Sequence, residues 1–189
     1  MDKLLESITQ KCLRENLIDE GQTEWLLYSL QRRVMNIGGF CILIVLGLLI
    51  APFPQVLLLN LGLAFLRKRT NGLHMPTKLS CFAVSLLCEY VCLYVIRLLA
   101  SDRLFFSFAL LIVSSALILL LAPCNNKAIH LSRDELIEAR KGVHIRLAVY
   151  LLVVLFLFVR TPTLANTLVV AETAVALLVV LARLGVGIQ

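Results

Sequence analysis

The chain has 189 residues, of which 60% are hydrophobic and only 16% charged, with a net charge of +6 and a mean hydropathy of +0.91. A soluble domain carries about 25% charged residues, and it does not need its apolar residues in long runs, so a soluble globular fold and any separate soluble domain are excluded. The class is an integral membrane protein: all-α, a polytopic transmembrane helix bundle of about six spans with an N-terminal amphipathic interfacial segment.

Residues 1–33 read as amphipathic helix rather than span. Leu4, Leu5, Ile8, Cys12 and Leu13 recur at helical spacing with charge between them. Gly21 breaks this pattern, and Thr23 is placed to cap a second piece carrying Trp25, Leu26, Leu30 and Val34. Such a helix suits the headgroup layer with Trp25 as anchor, and equally the protein's own cytoplasmic face. The acidic residues Asp2, Glu6, Glu15, Asp19, Glu20 and Glu24 argue against a cleavable signal peptide here.

Apolar runs follow near 34–51, 55–66, 79–99, 104–123, 145–159 and 163–182. The second and fifth, about 18 and 22 Å as helix, are short for a hydrocarbon core of about 30 Å. Pro52 and Pro54 place a sharp turn before the second run, which reads as a span or a re-entrant segment. With the chain crossing alternately, all basic residues except Arg97, Arg103 and Arg160 fall on the side of the N-terminus. The positive-inside rule then puts both termini in the cytoplasm. This sorting accounts for the net charge without nucleic acid. The longest connection, 124–144, carries Ser132 followed by Glu135, a capping-box pattern predicting a short helix.

Six cysteines are scattered without a CxxC pair, and with the three histidines they never reach metal-site spacing. Neither a disulfide framework nor a metal is expected, and no cofactor. On one helix Cys81, Ser85, Cys88 and Cys92 form a stripe with Glu89 at its side. It reads as interhelical packing, or as the lining of a cavity below Cys81. Glu89 and Glu172 are intramembrane carboxylates, either site residues or neutralised helix–helix contacts.

Membrane physics leaves one stretch unexplained: the basic Asn-Gly loop with a His in 66-LRKRTNGLHMPTKLSC-81. On an unbroken helix His74 and Cys81 would stand about 10 Å apart along the axis. Pro76 breaks that helix and favours a new start at Pro76–Thr77, with His74 in the loop and Cys81 one turn in. The Asn71-Gly72 turn lets the loop fold back and bring the imidazole over the thiol. A thiol attacks only as thiolate, and a nearby His can take its proton. Taken alone, this spacing also fits a buried small thiol and a solvated loop His.

At these residues the chain resembles the AgrB family, the accessory gene regulator B membrane endopeptidases of Gram-positive bacteria. Arg67, Gly72, His74 and Cys81 fall at the family's R-x4-G-x-H-x6-C spacing, between the second and third spans, and A-P-C-N-N-K at 122–127 is similar to the family's segment after the fourth. The chain departs from it at Asn71 and at Met75-Pro76, positions that bear on substrate type and loop shape. The resemblance implies a six-span endopeptidase domain over 34–189 with its catalytic loop at 67–81. Its implied partners are the lipid bilayer, an AgrD-like propeptide as substrate and a second copy in a homodimer. It implies Cys81 as nucleophile and His74 as general base. Arg67, Gly72 and Lys127 have supporting or substrate-binding roles, with Arg67 orienting the loop or binding an acidic tail. The implied reaction cuts the C-terminal tail from the propeptide through a Cys thioester and closes the rest into a thiolactone or lactone quorum-sensing signal. The competing reading is a non-enzymatic transporter or peptide-binding scaffold. A transporter would show repeated halves and helix breaks at mid-membrane. The breakers here sit mainly at span edges, and no internal repeat is visible.

Overall fold

The computed structural model describes the whole chain except Met1, Asn16, Asn71, Gly72, His74, Pro76 and residues 100–103, 125–131 and 187–189. The described residues form seven α-helices and one 3-10 turn, with no strand. The helices are α1 Asp2–Arg14, α2 Thr23–Gly47, α3 Phe53–Thr70, α4 Lys78–Leu98, α5 Leu104–Leu121, α6 Arg133–Arg160 and α7 Pro162–Arg183. The chain is an all-α membrane protein: α2 to α7 follow the six apolar runs in order, and α2, α4, α6 and α7 are long and apolar enough to cross a membrane.

The chain divides into two compact units, residues 1–42 and 43–189. In the first, α1 buries Leu5 and Thr9 and leaves the apolar Leu4 and Ile8 exposed. Lys11 and Glu15 pair one turn apart at its end. Trp25 is 70% exposed on α2.

In the second unit α7 is the central helix. It packs against α3, α4, α5 and α6, and every residue from Ala165 to Glu172 is buried. A helix apolar on all sides can satisfy itself only by being surrounded. Small residues let the others approach it: a Cβ on Gly62 of α3 would stand 2.9 Å from the Tyr150 hydroxyl of α6, 3.1 Å from Leu168 and 3.3 Å from Ala171. The Gly62→Val variant should therefore destabilise the protein by about 1–3 kcal/mol through overpacking. Thermal unfolding of the purified protein in detergent checks this, and an unchanged midpoint would disprove the close contact.

Hydrogen bonds fix the alternation of the helices. At one end Cys124 N–H donates to Thr70 O at 3.0 Å, tying the end of α3 to the segment after α5. At that end also, Arg146, midway along α6 where its apolar part begins, reaches Phe65 O at 2.8 Å, and Arg183 at the end of α7 reaches Leu121 O at 2.9 Å. At the opposite end Asn166 donates to Leu99 O, joining the start of α7 to the end of α4. Basic residues thus gather at one end, and Arg146 and Arg183 each donate to a carbonyl of a neighbouring helix.

Three boundaries differ from the sequence reading. The helix from Thr23 runs unbroken through Arg33 into the first span. Arg32 and Arg33 mark a change in hydropathy, but they do not interrupt backbone hydrogen bonding, and no proline intervenes. For the same reason the capped helix at Ser132 is not separate from the fifth span. It is the start of a 28-residue helix, about 42 Å long, whose polar first turns extend past the apolar layer. The second run gains the turn Arg67–Thr70 and becomes an 18-residue helix, about 27 Å long, with Pro54 in its first turn.

Candidate active site

The Cys81 neighbourhood is built by two helix ends. Basic Arg67, Lys68 and Arg69 form the last turn of α3, where cations favour the helix dipole. The Arg67 Nη2 turns back and donates to Leu73 O at 3.1 Å. Leu73 is 6% exposed, so the loop is pinned by its backbone and its side chain immediately before position 74. With Thr70 O held by Cys124, both ends of the turn out of α3 are tied.

The start of α4 is defined locally. Thr77 is extended (φ −118°, ψ 153°) and accepts from Ser80 N at 3.1 Å, while its own N–H donates to Ser80 Oγ at 3.3 Å. This reciprocal cap fixes the first turn. Cys81 N–H then makes the helix's first backbone bond, to Thr77 O at 3.0 Å. Cys81 therefore sits one turn into α4, half-buried, and its carbonyl accepts from Ser85 Oγ at 3.0 Å.

Of the residues singled out in the sequence, the structure describes Arg67 and Cys81, one at each end of the loop. His74, Gly72 and Lys127 lie outside the described residues, as does His130. His144 is exposed on α6. The other cysteines differ from Cys81 in place. Cys88 is half-buried and Cys92 buried deeper along α4. Cys124 is buried, its Sγ near Val179 O at 3.6 Å. Burial pushes the Cys124 thiol above its ordinary range, against the opposing influence of Arg183, so it is held as a neutral thiol. Among the described residues no three His, Cys, Asp or Glu side chains gather as a metal set.

The partners of the two deep carboxylates escaped sequence reading. Asn60 Nδ2 of α3 donates to Glu89 Oε1 at 2.7 Å. Ser115 Oγ and Ser114 Oγ of α5 donate to Glu172 Oε1 at 2.6 and 3.3 Å. The available signal was a polar residue inside an apolar run, but nothing in the sequence said which polar residue meets which.

A family model described as Accessory gene regulator B matches residues 2–184. The chain belongs to the AgrB family. The match runs from α1 to α7 and so covers both units. Neither the curated proteins nor the solved structures give a match. Membership gives this AgrB-family chain a role in accessory-gene-regulator signalling, in the processing of autoinducing peptides at a membrane. The matched span includes Arg67, in the last turn of α3, and Cys81, one turn into α4.

Proposed function

We propose that this AgrB-family chain is a cysteine endopeptidase that removes the C-terminal tail of an AgrD-like propeptide and cyclises the remainder, with Cys81 as nucleophile and His74 as general base. The observation that carries the reading is the capped start of α4, which holds Cys81 half-buried one turn after the loop whose other side Arg67 pins at Leu73, the residue before His74. In this mechanism His74 takes the Cys81 proton and the sulfur attacks the scissile carbonyl carbon. The C–N bond breaks, the leaving amine receives the proton from His74, and a thioester remains on Cys81. A thiol or hydroxyl within the propeptide then yields its proton to His74 and attacks the thioester. The bond to Cys81 breaks and its thiol is restored. Water consumes the same thioester by hydrolysis, so a site at the edge of the apolar layer favours ring closure.

The membrane concentrates an amphipathic substrate beside Cys81. Arg67 and Lys127 offer charge to an acidic tail, and a glycine at position 72 would allow a tight turn. The protein works as a homodimer in the cell membrane of a Gram-positive bacterium, with both termini and the Cys81 end cytoplasmic, as the clustering of basic residues favours.

Arg67 gives a graded prediction. Arg67→Ala frees Leu73 O and should slow cleavage about 10–100-fold through loss of loop alignment. Arg67→Lys should restore little, because a single ammonium on a flexible stem does not reproduce the guanidinium's fixed donors. Initial cleavage rates decide it. The whole reading is tested by co-expression with a short propeptide that has an amphipathic helix, an internal Cys or Ser and an acidic tail. The expected product is the tail-less peptide lighter by one water, the mass of a ring. An intact propeptide would refute the proposal.

A further inference from the structure

The Asn60–Glu89 pair lies between the two helices that meet at the proposed site. Glu89 is 1% exposed and Asn60 4% exposed. Asn60 Nδ2 also donates to Val56 O of its own helix at 3.0 Å, which fixes the amide's direction. A Cβ on Gly47 would lie 2.7 Å from Glu89 Oε1 and 2.7 Å from Val56 Cγ1, so the end of α2 closes directly over the carboxylate. Packing between α3 and α4 is otherwise sparse, since both mainly face α7. This bond is a buried polar link between them.

Its position sets the geometry further along. From Asn60, Arg67 is seven residues toward the loop end of α3; from Glu89, Cys81 is eight residues toward the same end of α4. As helix these are about 10 and 12 Å, so a bond joining Asn60 to Glu89 brings Arg67 and Cys81 to nearly one level. Residues seven apart share a helix face, so Arg67 points to the side of α3 from which Asn60 meets α4. We infer that Asn60 and Glu89 are positioning residues, a buried clamp that sets the height and rotation of Cys81 relative to the Arg67-anchored loop. The inference rests on the endopeptidase reading for its effect on turnover, and on the bond itself for its effect on Cys81.

The test uses the full chain in proteoliposomes. Glu89→Ala and Asn60→Ala should each lower kcat about tenfold or more with KM within about threefold, because the error is one of alignment rather than substrate binding. Glu89→Gln should stay within about threefold of the parent, since its amide oxygen still accepts from Asn60. Independently of turnover, the rate at which N-ethylmaleimide labels Cys81, read by peptide mass mapping, should shift about threefold or more in both Ala variants and remain parental in Glu89→Gln. Cys12, on α1 outside the spans, serves as the reference. Should Glu89→Ala fail to assemble, Asn60→Ala decides. Parental kcat and labelling in the Ala variants, or a loss in Glu89→Gln equal to that in Glu89→Ala, would overturn the inference. Absence of turnover in the parent would remove the endopeptidase reading, and the Cys81 labelling rates alone would then judge the clamp.

Discussion

Cys81→Ala abolishes propeptide cleavage, with a loss of at least about 10³-fold, while the variant still inserts and folds. The size follows from the role proposed for the sulfur: it forms the bond to the acyl group, and a methyl cannot replace it. The side chain is half-buried, and the turn around it is held by Thr77 and Ser80 rather than by the thiol, so folding is spared. Cys81→Ser keeps the shape but presents a hydroxyl, a far weaker acid than a thiol, and should recover little of the rate. His74→Ala should cost about 10²–10⁴-fold, the usual range for losing a general base. Cys88→Ala should leave cleavage close to parental, because Cys88 lies two turns deeper, about 10 Å along α4. Cleavage rates for the four variants, normalised to membrane-inserted protein, check the assignment. Parental cleavage in Cys81→Ala would remove it.

The second large effect concerns stability. Glu172 is fully buried on the central helix, and its side-chain partners are Ser114 and Ser115, both donating to Oε1. The other oxygen has no partner among the described residues. Removing both donors in Ser114→Ala/Ser115→Ala strands a carboxyl group in the core, at a cost of about 2–5 kcal/mol. Adding Glu172→Leu, of similar volume, removes the stranded group and should recover most of that loss. The cycle of variants isolates the coupling between α5 and α7, and unfolding in detergent reads it. A double Ala variant as stable as the parent would contradict the assignment, as would a triple variant no better than the double.

Features written within a few residues were legible in the sequence. The Ser132–Glu135 cap, the start of α4 at Thr77 after Pro76, and Cys81 one turn in all depend on neighbours in the chain. The order of the six runs was legible as well, because each is a continuous apolar stretch bounded by charged, polar or proline-containing segments. Helix boundaries were not. The sequence shows where hydropathy changes, at Arg33 and near His144, but a helix continues until its backbone bonds are interrupted. The deep contacts were also hidden. Asn60 and Glu89 are 29 residues apart, and Ser115 and Glu172 57 apart. Periodicity tells which face of a helix is apolar, not which helix that face meets. The arginines at the basic end carry a further lesson: Arg146 and Arg183 read as orientation charge alone, yet each also reaches a carbonyl of a neighbouring helix. For the site, the placement of Cys81 was legible from Pro76, whereas the Arg67 bond to Leu73 O depends on how the loop turns back.

The most direct measurement is on the thioester itself. The protein is mixed with propeptide, quenched in acid and digested, and the peptide containing Cys81 is examined by mass. The account predicts an added mass equal to the propeptide's N-terminal fragment less one water, attached at Cys81, released by hydroxylamine and absent from Cys81→Ala. Tail release with no acyl group on Cys81 at any time, or with the acyl group on another residue, would contradict it.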